Sequence, residues 1–171
     1  MAPRFDDDAE EYWDHDFSSD EDEADDEGES EGGDDLEALL ARAEELSESG
    51  ENRAALRLWR RSIDRFADEA EAHFQYALTA FRELEELSGG SEISWGAEPE
   101  LVGLYEEALS ELEEAVAIDD SHHPAWNLMG ALYALRGNHE SAVTCWEKSL
   151  EILPNQPKVR EDLEASRDQL G

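Results

Sequence analysis

The sequence predicts an all-α protein, an array of helical hairpins with about seven helices, preceded by an acidic tail. Three observations carry this expectation. Apolar residues recur at three- and four-residue steps after residue 35, which sets them on one face of a helix. The pattern Gly50, Ala55, Trp59, Ser62 recurs with the same spacing as Gly137, Ala142, Trp146, Ser149. Small residues (Gly130, Ala142, Ser149) sit where two helices must approach closely, and Trp126, Tyr133 and Trp146 fill the space beside them. A hairpin of this kind cannot bury its apolar face alone, so successive hairpins are expected to stack.

The tail comes first. Residues 1–35 hold eighteen aspartates and glutamates against Arg4 alone. Beyond Phe17 there is nothing to bury and like charges repel, so disorder is expected. Phe5, Tyr12, Trp13 and Phe17 are embedded among the acids. Two readings stay open for them: anchors that dock on a basic surface through charge and rings, or incidental aromatics of a solubilising tail. Ser18 and Ser19, ahead of four acids, resemble an acid-directed phosphorylation site, a match that arises readily by chance in acidic text.

The helical region is expected to span residues 36–171. Residues 36–69 form the first hairpin. Leu39, Ala43 and Leu46 line its first helix, Gly50 turns, and Ala55, Leu56, Trp59, Ser62, Ile63 and Phe66 line its second. Residues 70–122 form the second, with an insertion near 84–102. Gly89-Gly90 breaks one helix and Glu98-Pro99 starts the next, with proline in a favoured first-turn position. Leu84, Leu87, Leu101, Leu104 and Tyr105 continue the apolar faces, so two lengthened helices, roughly 70–88 and 99–118, are expected. The loop between them carries Ile93 and Trp95, which either form a contact site or fold back over the hairpin. Residues 123–156 form the third hairpin, turning at Gly137-Asn138 and ending at Pro154. In residues 157–171 a narrow stripe of Val159, Leu163, Ser166 and Leu170 on a charged helix reads as a solvating cap.

Trp126, Met129, Gly130, Tyr133, Gly137, Ala142, Trp146, Ser149 and Pro154 fall at the spacings of the tetratricopeptide repeat, which the chain resembles. Ser149, Met129 and Trp146 depart mildly from the usual residues, and the first hairpin has Ala67 where the repeat proline belongs. The resemblance implies a right-handed superhelix whose first helices line a concave groove. The implied groove positions are Glu37, Leu40, Ala41, Glu44 and Ser47, then Phe74, Gln75, Leu78, Phe81 and Arg82, then Asn127, Leu128, Ala131 and Leu135. Such a groove is acidic at its entry and apolar across its centre, with Phe74, Leu78 and Leu128 either open to a guest or packed on neighbours. Members that clamp the C-terminal carboxylate of heat-shock chaperones use Lys, Asn and Arg at positions that are Leu40, Glu44, Gln75, Pro124 and Leu128 here, so no clamp is expected.

The net charge of −34 argues against direct binding of nucleic acid or an anionic membrane and favours a basic partner, or solubility alone. Arg53, Arg57, Arg60, Arg61 and Arg65 break that rule with a positive stripe, open to two readings: binding the chain's own acidic tail, or pairing with acids on adjacent helices. Cys145 is the only cysteine, which forbids an internal disulfide. No secretory signal or membrane span is apparent, so the chain is expected to be cytoplasmic. No catalytic constellation, phosphate-binding loop or cofactor site is recognisable, and His122, His123, His139 and Cys145 match no zinc spacing. The expected function is therefore a non-catalytic adaptor or chaperone-like module holding a basic or basic-apolar protein segment. Alternatives are a bacterial secretion chaperone, or a scaffold whose acidity reflects adaptation to high salt.

Overall fold

The computed structural model describes residues 36–88 and 99–171. Among them are seven helices: α1 (Leu36–Glu48), α2 (Asn52–Arg65), α3 (Ala70–Ser88), α4 (Pro99–Ile118), α5 (His123–Leu135), α6 (His139–Ile152) and α7 (Pro157–Leu170). Phe5, Tyr12, Trp13 and Phe17 of the tail, and Ile93 and Trp95 of the inserted loop, lie outside the described residues.

Local chemistry sets the helix ends. Gly50 and Gly137 adopt φ of 83° and 80°, the left-handed region where a Cβ is unfavourable. Each closes a Schellman turn: Glu51 N–H reaches Leu46 O at 2.8 Å after α1, and Asn138 N–H reaches Tyr133 O at 2.8 Å after α5. His122 Nδ1 accepts from Ala125 N–H to cap α5, and Asn138 Oδ1 accepts from Ser141 N–H to cap α6. Pro99 and Pro157 open α4 and α7, where the missing N–H costs no intrahelical bond.

Each helix packs on its predecessor, from α1 on α2 through to α6 on α7. Fully buried alanines (Ala43, Ala55, Ala77, Ala80, Ala108, Ala115) allow the helices to approach, and Trp59, Leu84, Leu112 and Leu132 fill the layers between them. The second hairpin is lengthened as its sequence implied: α3 has 19 residues and α4 has 20, against 13 or 14 in the other helices. Leu84 and Leu101 are buried in that extension, whereas Leu87, expected on the same face, is exposed. The corner between α2 and α3, which lacks the repeat proline, is tied by His73. Its ring nitrogens face two acceptors, Glu111 Oε2 at 2.7 Å and the Ala67 carbonyl at 3.1 Å.

Helix α7 covers the last hairpin. Val159 and Leu163 close over Ala142 and Trp146, and Ser166 is buried beside them. Leu170, expected in the same stripe, is exposed instead. Ser166 already lies opposite His139, the first residue of α6, at 3.1 Å. One turn farther on, Leu170 lies beyond His139, where α6 begins, and among the described residues no helix packs beneath it.

Candidate partner-binding face and its charge network

The first helices of the three hairpins, α1, α3 and α5, share one face and touch along it. Ser47 on α1 meets Thr79 on α3 at 3.3 Å and accepts from Arg82 Nη1 at 2.7 Å. At the start of α5, His122 Nε2 faces Glu71 Oε2 at 3.2 Å, and the His122 ring lies 4.9 Å from that of Phe74. Because His122 Nδ1 accepts from a backbone N–H, the proton of the neutral ring sits on Nε2 and is donated to Glu71.

The expected groove residues divide by burial. Leu40, Phe74, Leu78 and Phe81 are half-buried, packed against the core with part of each side chain open. Leu128 is only 7% exposed and belongs to the core. Ala131 is half-buried and Leu135 is 38% exposed. Glu37, Ala41, Glu44 and Arg82 are exposed, whereas Ser47 is buried. Gln75 donates to Glu71 at 2.6 Å. Asn127 donates to Gln156 Oε1 at 2.8 Å, and its own Oδ1 is buried with no partner among the described residues.

The arginine stripe on α2 splits into two rails. Arg53 pairs with Glu83 at 3.0 Å and Glu100 at 3.1 Å. Arg60 pairs with Glu107 at 3.1 Å and Glu111 at 3.5 Å, and also donates to Tyr76 Oη at 2.8 Å. These two lean onto the lengthened hairpin, so pairing with adjacent helices accounts for them. Arg57, Arg61 and Arg65 lie on the outer rail, exposed and without an ion pair among the described residues. Burial, joined by the hydrogen bond to Glu107, pushes the Tyr76 phenol up to about 12. Burial also pushes the Cys145 thiol up to about 11, which makes it a packed, unreactive group at neutral pH. No group of His, Cys, Asp and Glu among the described residues is arranged to hold a metal. No described helix is long and apolar enough to cross a membrane.

Sequence reasoning missed the acids that receive the arginines and the buried polar pair Ser47 and Thr79. One signal was available. Ala43 stands where the third hairpin has Gly130. In the third hairpin the Trp146 ring lies against the glycine and its Nε1–H reaches Asn127 O at 3.2 Å. With a methyl group in that place, the Trp59 ring instead directs its Nε1–H to Thr79 Oγ1 at 3.0 Å.

Residues 123–156 match the family model described as tetratricopeptide repeat. No curated protein sequence matches the chain. Among solved structures, MamA is similar with a TM-score of 0.67 at 17% identity, covering 82% of this chain and 71% of that one. The first tetratricopeptide domain of Spaghetti (RPAP3), bound to the HSP90 peptide SRMEEVD, is similar with a TM-score of 0.65 at 18% identity, covering 79% and 92%. The type III secretion chaperone SycD of Yersinia enterocolitica, in complex with a peptide of the translocator YopD, has a TM-score of 0.64 at 14% identity, covering 80% and 95%. These likenesses establish the fold, an α-solenoid of the tetratricopeptide type.

Proposed function

We propose that this chain, which carries a tetratricopeptide repeat and has the fold of such domains, is a non-catalytic adaptor or holding module for a protein segment. The segment lies on the face of α1, α3 and α5 and is basic with apolar anchors. One observation carries the reading: on that face half-buried Leu40, Phe74, Leu78 and Phe81 form an apolar strip, and exposed Glu37, Glu44, Glu48 and Glu71 accompany it. Apolar side chains of a guest gain by leaving water against the strip, and its lysines or arginines gain from the acids. Neighbours of the same fold take peptides, from HSP90 in one complex and from YopD in another, which supports a peptide-sized guest. The positions that would clamp a chaperone tail are Leu40, Glu44, Gln75, Pro124 and Leu128, which are hydrocarbon, one acid and one neutral amide with no cation among them, so this guest is not a free C-terminal carboxylate.

Fluorescence anisotropy of the full chain tests the reading with three labelled peptides: alternating leucine and lysine, alternating serine and lysine, and alternating leucine and glutamate. The Leu/Lys peptide binds most tightly, weakens as salt screens the charges, and weakens further with Leu78→Gln or Phe81→Gln. Equal binding of the Ser/Lys peptide, indifferent to both substitutions, would reduce the interaction to charge and refute the apolar strip. It would favour the competing view that the acids serve high-salt solubility, which also predicts a helical domain that melts higher as salt rises.

A further inference from the structure

Arg82 differs from the arginines of α2. It is exposed on the partner-binding face and has no ion pair among the described residues, yet its guanidinium is held from the core. Every proton in the chain of bonds behind it can be placed. Trp59 Nε1–H can only donate, and it does so to Thr79 Oγ1 at 3.0 Å. The Gln75 carbonyl can only accept, so the Thr79 hydroxyl proton goes to it at 2.9 Å. Thr79 Oγ1 therefore receives the Ser47 hydroxyl proton at 3.3 Å, which leaves Ser47 Oγ to accept from Arg82 Nη1 at 2.7 Å. Thr79 and Ser47 are 1% and 7% exposed, so the bonds at Thr79 are shielded from solvent and the Arg82–Ser47 bond is reached from the Arg82 side only. That bond uses one of the five guanidinium N–H groups and tethers the group at Ser47, and the others have no partner among the described residues.

A planar fork with several free donors is suited to a carboxylate, which it binds through two parallel hydrogen bonds. Elsewhere in the molecule Arg53 and Arg60 already have their carboxylates. On the binding face the surrounding charges are of the opposite sign: Glu37, Glu44, Glu48 and Glu71 are all exposed. A tethered cation with no ion pair among the described residues, set in an acidic surround, is a discriminating contact, because it rewards an acid at that one place on the face. The geometry points to Arg82 as the specificity-determining contact of the face: it receives a single Asp or Glu of an otherwise basic and apolar guest segment, and Ser47 is the residue that positions it. This rests on the reading of the face given above.

Selection from a random peptide library displayed on phage, against the full chain and its variants, tests the inference. The wild type enriches basic-apolar peptides with an acid at one fixed offset from the apolar pair. Arg82→Gln, an exposed change that leaves the fold intact, keeps the basic-apolar preference and loses the acid. Arg82→Lys keeps a weakened preference for it. For an enriched peptide, replacing its acid by the amide lowers affinity for the wild type by about tenfold, the usual worth of a charge-assisted pair, and leaves affinity for Arg82→Gln unchanged. Ser47→Ala binds the acid and amide peptides with a smaller ratio while keeping the same consensus. Basic-apolar peptides without a fixed acid, identical for wild type and Arg82→Gln, would overturn the role of Arg82 and leave the face standing. Failure of the wild type to enrich any peptide, or enrichment indifferent to Phe81→Gln, would overturn the face and this inference together.

Discussion

Substituting Gly130 by alanine should separate packing from helix propensity. A Cβ built at Gly130 falls 2.4 Å from Trp146 Nε1 and 2.7 Å from Cδ1 and Cε2, well inside contact distance. The indole cannot yield easily, since Trp146 is 4% exposed and is held between Ala142, Val159 and Leu163. Overpacking of this kind costs about 1–3 kcal/mol, and losing the Trp146–Asn127 hydrogen bond costs about 1 kcal/mol more. The gain in helix propensity from glycine to alanine, about 0.8–1.0 kcal/mol, works against these. The net is about 2 kcal/mol of destabilisation, a fall in Tm of roughly 6–10 °C for a domain of this size. Circular dichroism melts and urea unfolding of wild type, Gly130→Ala, Trp146→Leu and the double variant read it out. In the Trp146→Leu background the alanine should become neutral or stabilising, because the ring it collides with is gone. A Gly130→Ala protein that melts at or above the wild type would refute the close approach of Trp146 to α5.

Three further outcomes follow from the same structure. Thr79→Val removes the acceptor of both Trp59 Nε1 and the Ser47 hydroxyl; leaving a buried donor unpaired should cost about 1–3 kcal/mol in urea unfolding, and an unchanged midpoint would contradict the relay. Stability should fall as pH rises from about 9 towards 11, because Cys145 is raised in the folded chain from an ordinary 9.0 to about 11 and Tyr76 from 10.0 to about 12, so the unfolded chain loses its protons first. Cys145→Ala should flatten the lower part of that limb in urea midpoints taken across the range, and an identical limb would assign the loss elsewhere. The peptide SRMEEVD, bound in the RPAP3 complex, should show no saturable binding to this chain by calorimetry, because its run of acids meets an acidic face, and tight binding would show that a clamp for the C-terminal carboxylate exists despite Leu40, Glu44 and Leu128.

Much of the fold was legible because the repeat encodes it locally. Gly50 and Gly137 mark turns that require positive φ, and Gly130 with Trp146 marks a close helix approach. The lengthened hairpin was readable from Gly89-Gly90, Pro99 and the apolar residues on either side of them, Leu84, Leu101, Leu104 and Tyr105, which need only helical periodicity to interpret. The candidate site was less legible. Five arginines at helical steps look alike in sequence, yet among the described residues only Arg53 and Arg60 meet carboxylates, since that depends on which side of α2 the α3–α4 hairpin lies. Leu128 reads as a groove residue by position, and the structure buries it in the core. Leu170 continues the stripe of the cap, and the start of α6 at His139 decides that no described helix packs on it. Periodicity names the face of a helix; the neighbour that occupies it comes from the register of elements distant in the chain.

The most direct test of the account is an NMR titration of the isotope-labelled full chain with the Leu/Lys peptide, followed residue by residue. The account predicts saturable shifts concentrated on α1, α3 and the start of α5, at Ala41, Glu44, Leu78, Phe81 and Arg82, and reduced by Phe81→Gln. Shifts confined to residues 1–35, or spread over the outward residues of α2 and α4 with α3 silent, would contradict it.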